Sequence, residues 1–124
     1  MRAIVLTEYG APEVLTLADI PAPAIGPEDV LVDVVATALN RADLLQRRGF
    51  YPEPGPKRPH EVPGMELSGR VAAVGDRAAR WSVGDEVMAI VSGGSYAEQV
   101  AVHERQLMAV PVGVDVADAA AIPE

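Results

Sequence analysis

The chain has 124 residues and no cysteine, which excludes disulfide bonds, thiolate catalysis and cysteine-based zinc sites together. Acidic residues outnumber basic ones by 18 to 10. The resulting formal charge of −8 argues against nucleic acid or an anionic membrane as the main partner, because both need a basic surface. No apolar run approaches the ~20 residues needed to span a bilayer, so we expect one cytoplasmic, non-membrane domain.

The first third of the chain predicts three strands. Arg2–Thr7 is a short apolar run, too short for the apolar region of a signal peptide. Val14–Ile20 alternates apolar and polar residues, as a half-buried strand does. Val30–Leu39 is the clearest strand because valine and leucine dominate it. Prolines and glycines between Pro21 and Pro27 separate the last two.

The segment Asn40–Gly49 predicts a short helix with both ends marked. Asn40 can cap the first turn, and Asp43, at the third helical position, can accept the first amide hydrogens. Two arginines fall in the last turn, where the carbonyl end of a helix favours cations. Gly49 can adopt the left-handed conformation that terminates a helix.

The second half of the chain predicts four more strands after a proline-stiffened loop. The strands are Gly64–Gly75, Gly84–Val91, Tyr96–Val102 and Leu107–Val110, with the loop at Phe50–Pro63. Ser92–Ser95 predicts a hairpin-like turn into the third of these strands. Val116–Ile122 predicts the start of a C-terminal helix, with Asp115 as its cap.

Seven short strands and one marked helix predict a mainly β fold. Eleven glycines and eleven prolines, spread along the chain, indicate many short elements joined by turns. A small, partly open, Greek-key-like antiparallel barrel buries the alternating faces of such strands.

Several segments then occur in a recognisable order. They are residues 38–49, Tyr51, Pro63–Gly69, Gly84–Val87 and Ala119–Glu124. Together they resemble the quinone oxidoreductase (zeta-crystallin-like) branch of the medium-chain dehydrogenase/reductase superfamily, over essentially the whole chain. The resemblance implies a GroES-like catalytic domain at residues 1–124. It also implies hydride transfer from NADPH to a quinone or another α,β-unsaturated carbonyl.

The resemblance implies that the nucleotide is held elsewhere. No strand–Gly-x-Gly-x-x-Gly–helix motif occurs in the sequence, so a Rossmann domain outside these residues would bind NADPH. We therefore expect the 124 residues alone neither to bind NADPH tightly nor to reduce a quinone. In similar proteins Ile122, Pro123 and Glu124 begin the crossover between the domains near the cleft, and Ile122 and Pro123 would contact the cofactor. The full-length enzyme is expected to be a homodimer.

Two positions depart from the zinc-dependent branch of the superfamily. Zinc alcohol dehydrogenases carry cysteine where this chain has Asn40, and Gly-His-Glu where it has Gly64, Met65 and Glu66. An amide and a thioether are poor zinc ligands, so we expect no metal site. Glu66 lies in an apolar strand and needs partners if it is buried, which favours a structural hydrogen-bonding role.

Asn40 and Tyr51 are the candidate catalytic and cofactor-binding residues. Asn40 is either a helix cap alone or also a side chain at the nicotinamide and substrate cleft; the two roles are compatible. Tyr51 is either an aromatic packing residue with a solvated hydroxyl or a phenol that hydrogen-bonds the acceptor carbonyl.

Two alternative functions remain open on sequence alone. The first is an enoyl or alkene reductase of the same superfamily, since one fold serves many substrates. The second is a stand-alone co-chaperonin-like interaction module, because Ile4–Thr7 matches the tetrapeptide of the co-chaperonin mobile loop.

Overall fold

The structure is a computed structural model that describes residues 1–52 and 58–124. Within these ranges the chain forms seven strands, one α-helix and two short 3₁₀ helices. All strand pairs are antiparallel. None of the helices in the described ranges is long and apolar enough to cross a membrane.

The smaller sheet joins the first two strands. β1 (Arg2–Leu6) pairs with β2 (Leu15–Asp19), and the 3₁₀ helix Pro12–Val14 lies between them. An isolated bridge between Ala3 and Ala97 connects this sheet to the rest of the domain. β1 is thus held on both sides.

The larger sheet has five strands in the order β6-β3-β4-β5-β7. Its members are β3 (Asp29–Thr37), β4 (Glu66–Val74), β5 (Glu86–Ile90), β6 (Gln99–His103) and β7 (Met108–Ala109). The two sheets do not close into a single barrel. The prediction of a mainly β, partly open antiparallel fold is confirmed.

The core lies on the inward face of the larger sheet. Val30, Val32, Leu67, Val87 and Ala89 are fully buried there. Burying each of the larger side chains contributes roughly 1.5–3 kcal/mol relative to leaving it in water. This core fixes β3 and β4, the two strands whose ends carry the candidate site.

The single α-helix of the described ranges, α1, spans Arg41–Arg47 and has the ends that the sequence predicts. Asn40 occupies the N-cap position in an extended conformation, and its backbone amide donates to Oδ2 of Asp43 at 2.8 Å. Gly49 follows the helix with a φ of +80°, the left-handed conformation expected of a terminating glycine. The helix prediction is confirmed.

The prediction of a hairpin at Ser92–Ser95 is wrong. β5 pairs with β4 and β7, whereas the strand that follows the turn, β6, pairs with β3. The turn therefore carries the chain across the sheet. Several strands also begin later than predicted. β4 and β5 each begin two residues late, because Gly64 and Gly84 have φ values of +99° and +95° that interrupt an extended backbone. β6 begins at Gln99, three residues after the predicted start at Tyr96.

The predicted start of a C-terminal helix is a 3₁₀ helix, Asp118–Ala121, instead of an α-helix. The backbone amide of Ala117 donates to Oδ1 of Asp115 at 2.8 Å, so the predicted cap is present. Pro123 has no amide hydrogen to donate back to Ala119, which prevents α-helical continuation at that position. Part of the predicted proline-rich loop, residues 53–57, lies outside the described residues.

Candidate active site

Asn40 lies between two buried carboxylates. Its backbone amide donates to Asp43, and its side-chain Nδ2 donates to Oε1 of Glu66 at 2.9 Å. The carboxylates are almost inaccessible, with relative exposures of 6% for Asp43 and 3% for Glu66. The capping role predicted for Asn40 is therefore combined with a second contact, made across 26 residues of sequence.

Glu66 connects three separate parts of the chain. It is the first residue of β4, and its second carboxylate oxygen accepts the backbone amide of Glu124 at 2.8 Å. Its backbone carbonyl accepts the hydroxyl of Thr37, at the end of β3, at 2.7 Å. The expectation that a buried Glu66 needs partners is confirmed, since both carboxylate oxygens accept a hydrogen bond.

Asp43 also forms a hydrogen bond with Tyr96. The Tyr96 hydroxyl donates to Oδ2 of Asp43 at 2.8 Å. Burial raises the pKa of Tyr96 well above its ordinary value, and the hydrogen bond and charge of Asp43, with the charge of Glu66, raise it further. Tyr96 therefore stays protonated and donates to Asp43 throughout the neutral pH range.

Tyr51 lies just past α1 and lines a small cavity of about 30 Å³. Its side chain is 41% exposed. Asp43, Gly64 and Met65 line the same cavity, together with Ala42, Gln46 and the residues from Val91 to Gly93. Part of Tyr51 is therefore accessible to a bound molecule.

The predicted site residues fall into two adjacent groups. Asn40 and the C-terminal segment share one partner, Glu66. The Asn40 side chain donates to one oxygen of this carboxylate, and the backbone amide of Glu124, next to Pro123, donates to the other. Ile122 in that segment is 46% exposed. Tyr51 belongs to the cavity beside Asp43, and Asn40 does not line that cavity. Asp43, which contacts Asn40 and lines the cavity, links the two groups.

Two larger hollows lie nearby. A groove of about 530 Å³ runs along Thr37, Leu39 and Tyr96. A cavity of about 520 Å³ includes Ser92 and Val100 but none of the predicted site residues. None of the predicted site residues lines either of these two hollows.

Residues 26–112, more than half of the chain, match the family model of the alcohol dehydrogenase GroES-like domain. The chain belongs to this family.

Two curated relatives of this GroES-like domain align over almost all of it. An NADPH-dependent alkenal/one oxidoreductase of Arabidopsis thaliana chloroplasts is 38% identical over 99% of the chain, and the alignment covers 34% of that protein. A quinone oxidoreductase of Pseudomonas aeruginosa is 39% identical over 98% of the chain, which is 37% of that protein. The chain thus spans about a third of the length of these relatives.

A solved structure gives the same result. The quinone oxidoreductase of Thermus thermophilus, whose structure was determined along with its complex with NADPH, superimposes with a TM-score of 0.78. It is 36% identical, and the match covers 99% of this chain and 37% of that one. The resemblance to the quinone oxidoreductase branch and the GroES-like fold are confirmed.

The described residues of this GroES-like domain hold no group of three or more histidine, aspartate or glutamate side chains that could bind a metal ion. At the two positions where the resemblance implies replaced zinc ligands, the amide of Asn40 donates to Glu66 and Met65 lines the small cavity. Neither side chain is a favourable zinc donor.

Sequence reasoning missed the part that Tyr96 plays. Tyr96 falls in a strand-like run, and its partner Asp43 is 53 residues away, so no local pattern joins them. The contact between the hydroxyls of Thr37 and Ser95, 2.8 Å apart, was missed for the same reason. Glu66 did give a signal, as a carboxylate in an apolar strand.

Proposed function

We propose that this chain forms the catalytic, substrate-side wall of an NADPH-dependent oxidoreductase that reduces a quinone or another α,β-unsaturated carbonyl. The observation that carries the proposal is the fixed Asn40, held between Asp43 and Glu66 beside the segment that ends at Glu124. The names of the relatives support the same chemistry. A nucleotide-binding domain outside these residues completes the crevice.

The nicotinamide ring would lie against Asn40, Tyr51, Ile122 and Pro123. An amide, a phenol and an exposed apolar side chain suit a flat ring that carries a carboxamide. When bound, NADPH supplies the hydride, and the protein supplies binding, orientation and electrostatics. The chain lacks a glycine fingerprint, so the pyrophosphate is held by the other domain.

Tyr51 is the residue that would stabilise charge on the acceptor oxygen. Its exposed phenol can donate a hydrogen bond to a carbonyl, and that bond strengthens as negative charge builds on oxygen. In the full-length enzyme we expect Tyr51→Phe to lower kcat about 10²-fold, the usual cost of one such donor, with little change in NADPH affinity. An unchanged kcat would remove Tyr51 from the chemistry.

The reaction proceeds without zinc in this proposal. Asn40 and Met65 replace the ligands that zinc alcohol dehydrogenases use, so no Lewis acid polarises the substrate. Metal analysis of the purified full-length enzyme should find less than about 0.1 zinc ions per chain. Activity should survive prolonged treatment with a strong chelator, and its loss with recovery on zinc addition would contradict the proposal.

The acceptor class distinguishes two candidates. The Pseudomonas relative is named a quinone oxidoreductase, whereas the Arabidopsis relative is named for alkenals and enones. We favour the quinone because the sequence segments match that branch, and an enoyl or alkene reductase, for which an alkenal is a test substrate, is the second candidate. Steady-state kcat/KM values for a quinone and for an alkenal, measured with the same full-length enzyme, rank the two.

The 124 residues are expected to be inactive alone. Calorimetric titration of the isolated chain with NADPH should give no measurable binding, and quinone reduction should match the blank. Turnover by the isolated chain would contradict the proposal that the nucleotide is bound by a separate domain.

We further propose that the full-length enzyme is a cytoplasmic homodimer, which cell fractionation and light scattering can test.

The co-chaperonin alternative receives no support from the structure. Ile4 and Leu6 lie in β1, paired with Leu17 and Leu15 of β2. A motif fixed in a strand cannot act as a mobile binding loop. Heptamer formation in light scattering would be needed to revive this alternative.

A further inference from the structure

The contact between Asn40 and Glu66 settles which way the Asn40 amide faces. A carboxylate only accepts hydrogen bonds, whereas an amide side chain has a donating NH₂ and an accepting oxygen. With Glu66 at 2.9 Å, the NH₂ end must face the carboxylate and the Oδ1 end must face away from it. The other oxygen of Glu66 is held by the Glu124 amide, so the carboxylate is itself fixed.

We propose that Glu66 is a positioning residue that sets the orientation of the Asn40 amide, so that Asn40 offers its carbonyl oxygen to a hydrogen-bond donor of the bound nucleotide. The proposal rests on the proposed function, in which Asn40 contacts the nicotinamide moiety. A hydroxyl or carboxamide NH₂ of the nucleotide is the matching chemical group. A carbonyl oxygen has two lone pairs, so it can serve the first turn of α1 and this donor together.

With this orientation, Asn40 and Tyr51 would bind different chemical groups. The carbonyl of a quinone or enone cannot donate a hydrogen bond, so it does not match the Oδ1 end of Asn40. Tyr51, whose phenol is exposed, serves that carbonyl instead. Glu66 is buried at 3% exposure and therefore acts through Asn40 without meeting the substrate.

An isosteric variant separates orientation from packing. In Glu66→Gln the side chain keeps its shape, its oxygen still accepts the Glu124 amide, and its NH₂ faces Asn40. Asn40 can then rotate its amide by half a turn and accept from Gln at position 66. The hydrogen bonds to the Glu124 amide and between the two side chains are conserved. The Asn40 oxygen no longer faces the first turn of α1, and Asn40 now offers NH₂ where it offered oxygen.

The charge-swapped pair provides the matched control. In Asn40→Asp with Glu66→Gln, the new carboxylate accepts from the Gln NH₂ and offers a second oxygen outward, so the acceptor is restored. Asn40→Asp alone sets two carboxylates within hydrogen-bond distance and should lower the melting temperature. The double variant should melt close to the unmodified chain.

Two measurements test the proposal. In the isolated chain, NMR should show the Asn40 side-chain NH₂ exchanging with solvent at least about tenfold faster in Glu66→Gln, because it leaves its buried partner. In the full-length enzyme, Glu66→Gln should raise the KM for NADPH about tenfold, and the double variant should recover most of that loss.

The outcomes are distinguishable. Unchanged NH₂ exchange in Glu66→Gln overturns the positioning role, whatever the kinetics show. Faster exchange with unchanged kinetics shows that Glu66 orients Asn40 but overturns the contact of Asn40 with the nucleotide, and with it that part of the proposed function. An equal loss in Glu66→Gln and in the double variant also overturns the proposal, since restoring the acceptor then restores nothing.

Discussion

The hydroxyl of Tyr96 donates to the buried carboxylate of Asp43 at 2.8 Å, joining the turn before β6 to the first turn of α1. The same oxygen of Asp43 accepts the backbone amide of Asn40. The cap of the helix and the tyrosine thus share one acceptor, and a change at either reaches Asn40.

Removing the Tyr96 hydroxyl should destabilise the domain. Tyr96→Phe leaves Asp43 buried with one fewer donor, and a hydrogen bond to a charged group contributes about 1.5–3 kcal/mol. Urea unfolding should show a loss of this size. Tyr9→Phe is the matched control, because the Tyr9 hydroxyl donates to Glu61 from a side chain that is 53% exposed. Equal losses in the two variants would contradict a special role for Tyr96.

The raised pKa of Tyr96 also predicts how stability changes in alkali. The unfolded chain loses this proton near the ordinary value of 10.0, whereas the folded chain keeps it to higher pH. The stability gained from the raised pKa of Tyr96 is therefore fully present below pH 10.0 and is lost as the pH rises above this value. Tyr96→Phe should lose less stability between neutral and strongly alkaline pH than the unmodified chain does. A parallel decline in both proteins would argue against this assignment.

Glu104 should contribute stability that acid removes. Its carboxylate accepts the backbone amides of Arg80 and Ala79 at 2.9 and 2.8 Å, and these bonds hold the pKa of Glu104 below its ordinary value of 4.5. The stability that the Glu104 carboxylate contributes is fully present above its pKa in the unfolded chain. This stability is lost as the pH falls through the lower pKa of the folded chain. Glu104→Gln should therefore melt lower than the unmodified chain at neutral pH, and the difference should shrink in acid.

A charge control separates this effect from the net charge of −8. Glu8→Gln removes one negative charge from an exposed position and should leave the melting temperature little changed. If Glu8→Gln lowers the melting temperature as far as Glu104→Gln does, the loss does not come from the hydrogen bonds that Glu104 accepts.

The fully buried Leu67 should be among the costliest core positions. Leu67 in β4 has no measurable exposure, and replacing a buried leucine by alanine costs about 2–5 kcal/mol through lost transfer energy and a cavity. Leu17→Ala makes the same chemical change at a side chain that is 67% exposed, so its cost should stay within about 0.5 kcal/mol. Denaturant midpoints of the two variants decide the matter.

The sequence predicted the local elements well because their signals are local. A run rich in valine and leucine marked β3, and Asn40 with Gly49 marked the two ends of α1. Strand pairing was harder to predict from the sequence, because the alternation of side chains along a strand does not show which strands are neighbours in a sheet. β6 follows β5 in sequence but pairs with β3, so the predicted hairpin at residues 92–95 failed.

The candidate site was only partly predictable for a related reason. Asn40 and Tyr51 could be named from local context and resemblance, and Glu66 from its apolar surroundings. Their connections depend on contacts across 26 residues for Asn40–Glu66 and 58 for Glu66–Glu124. Hydrogen-bond partners at such separations cannot be read from residue spacing.

Gly64 should tolerate a side chain less well than a glycine of the same backbone conformation. Gly64 and Gly84 have φ values of +99° and +95°, so alanine meets a similar left-handed penalty of roughly 1–2 kcal/mol at each. A Cβ at Gly64 would lie 2.3 Å from Oγ of Ser95 and 2.4 Å from the Tyr96 ring, whereas nothing lies within 4 Å at Gly84. Overpacking should therefore add about 1–3 kcal/mol in Gly64→Ala alone. Equal unfolding free energies for the two alanine variants would show that the ring and the serine move aside, and that this corner is less rigid than its contacts indicate.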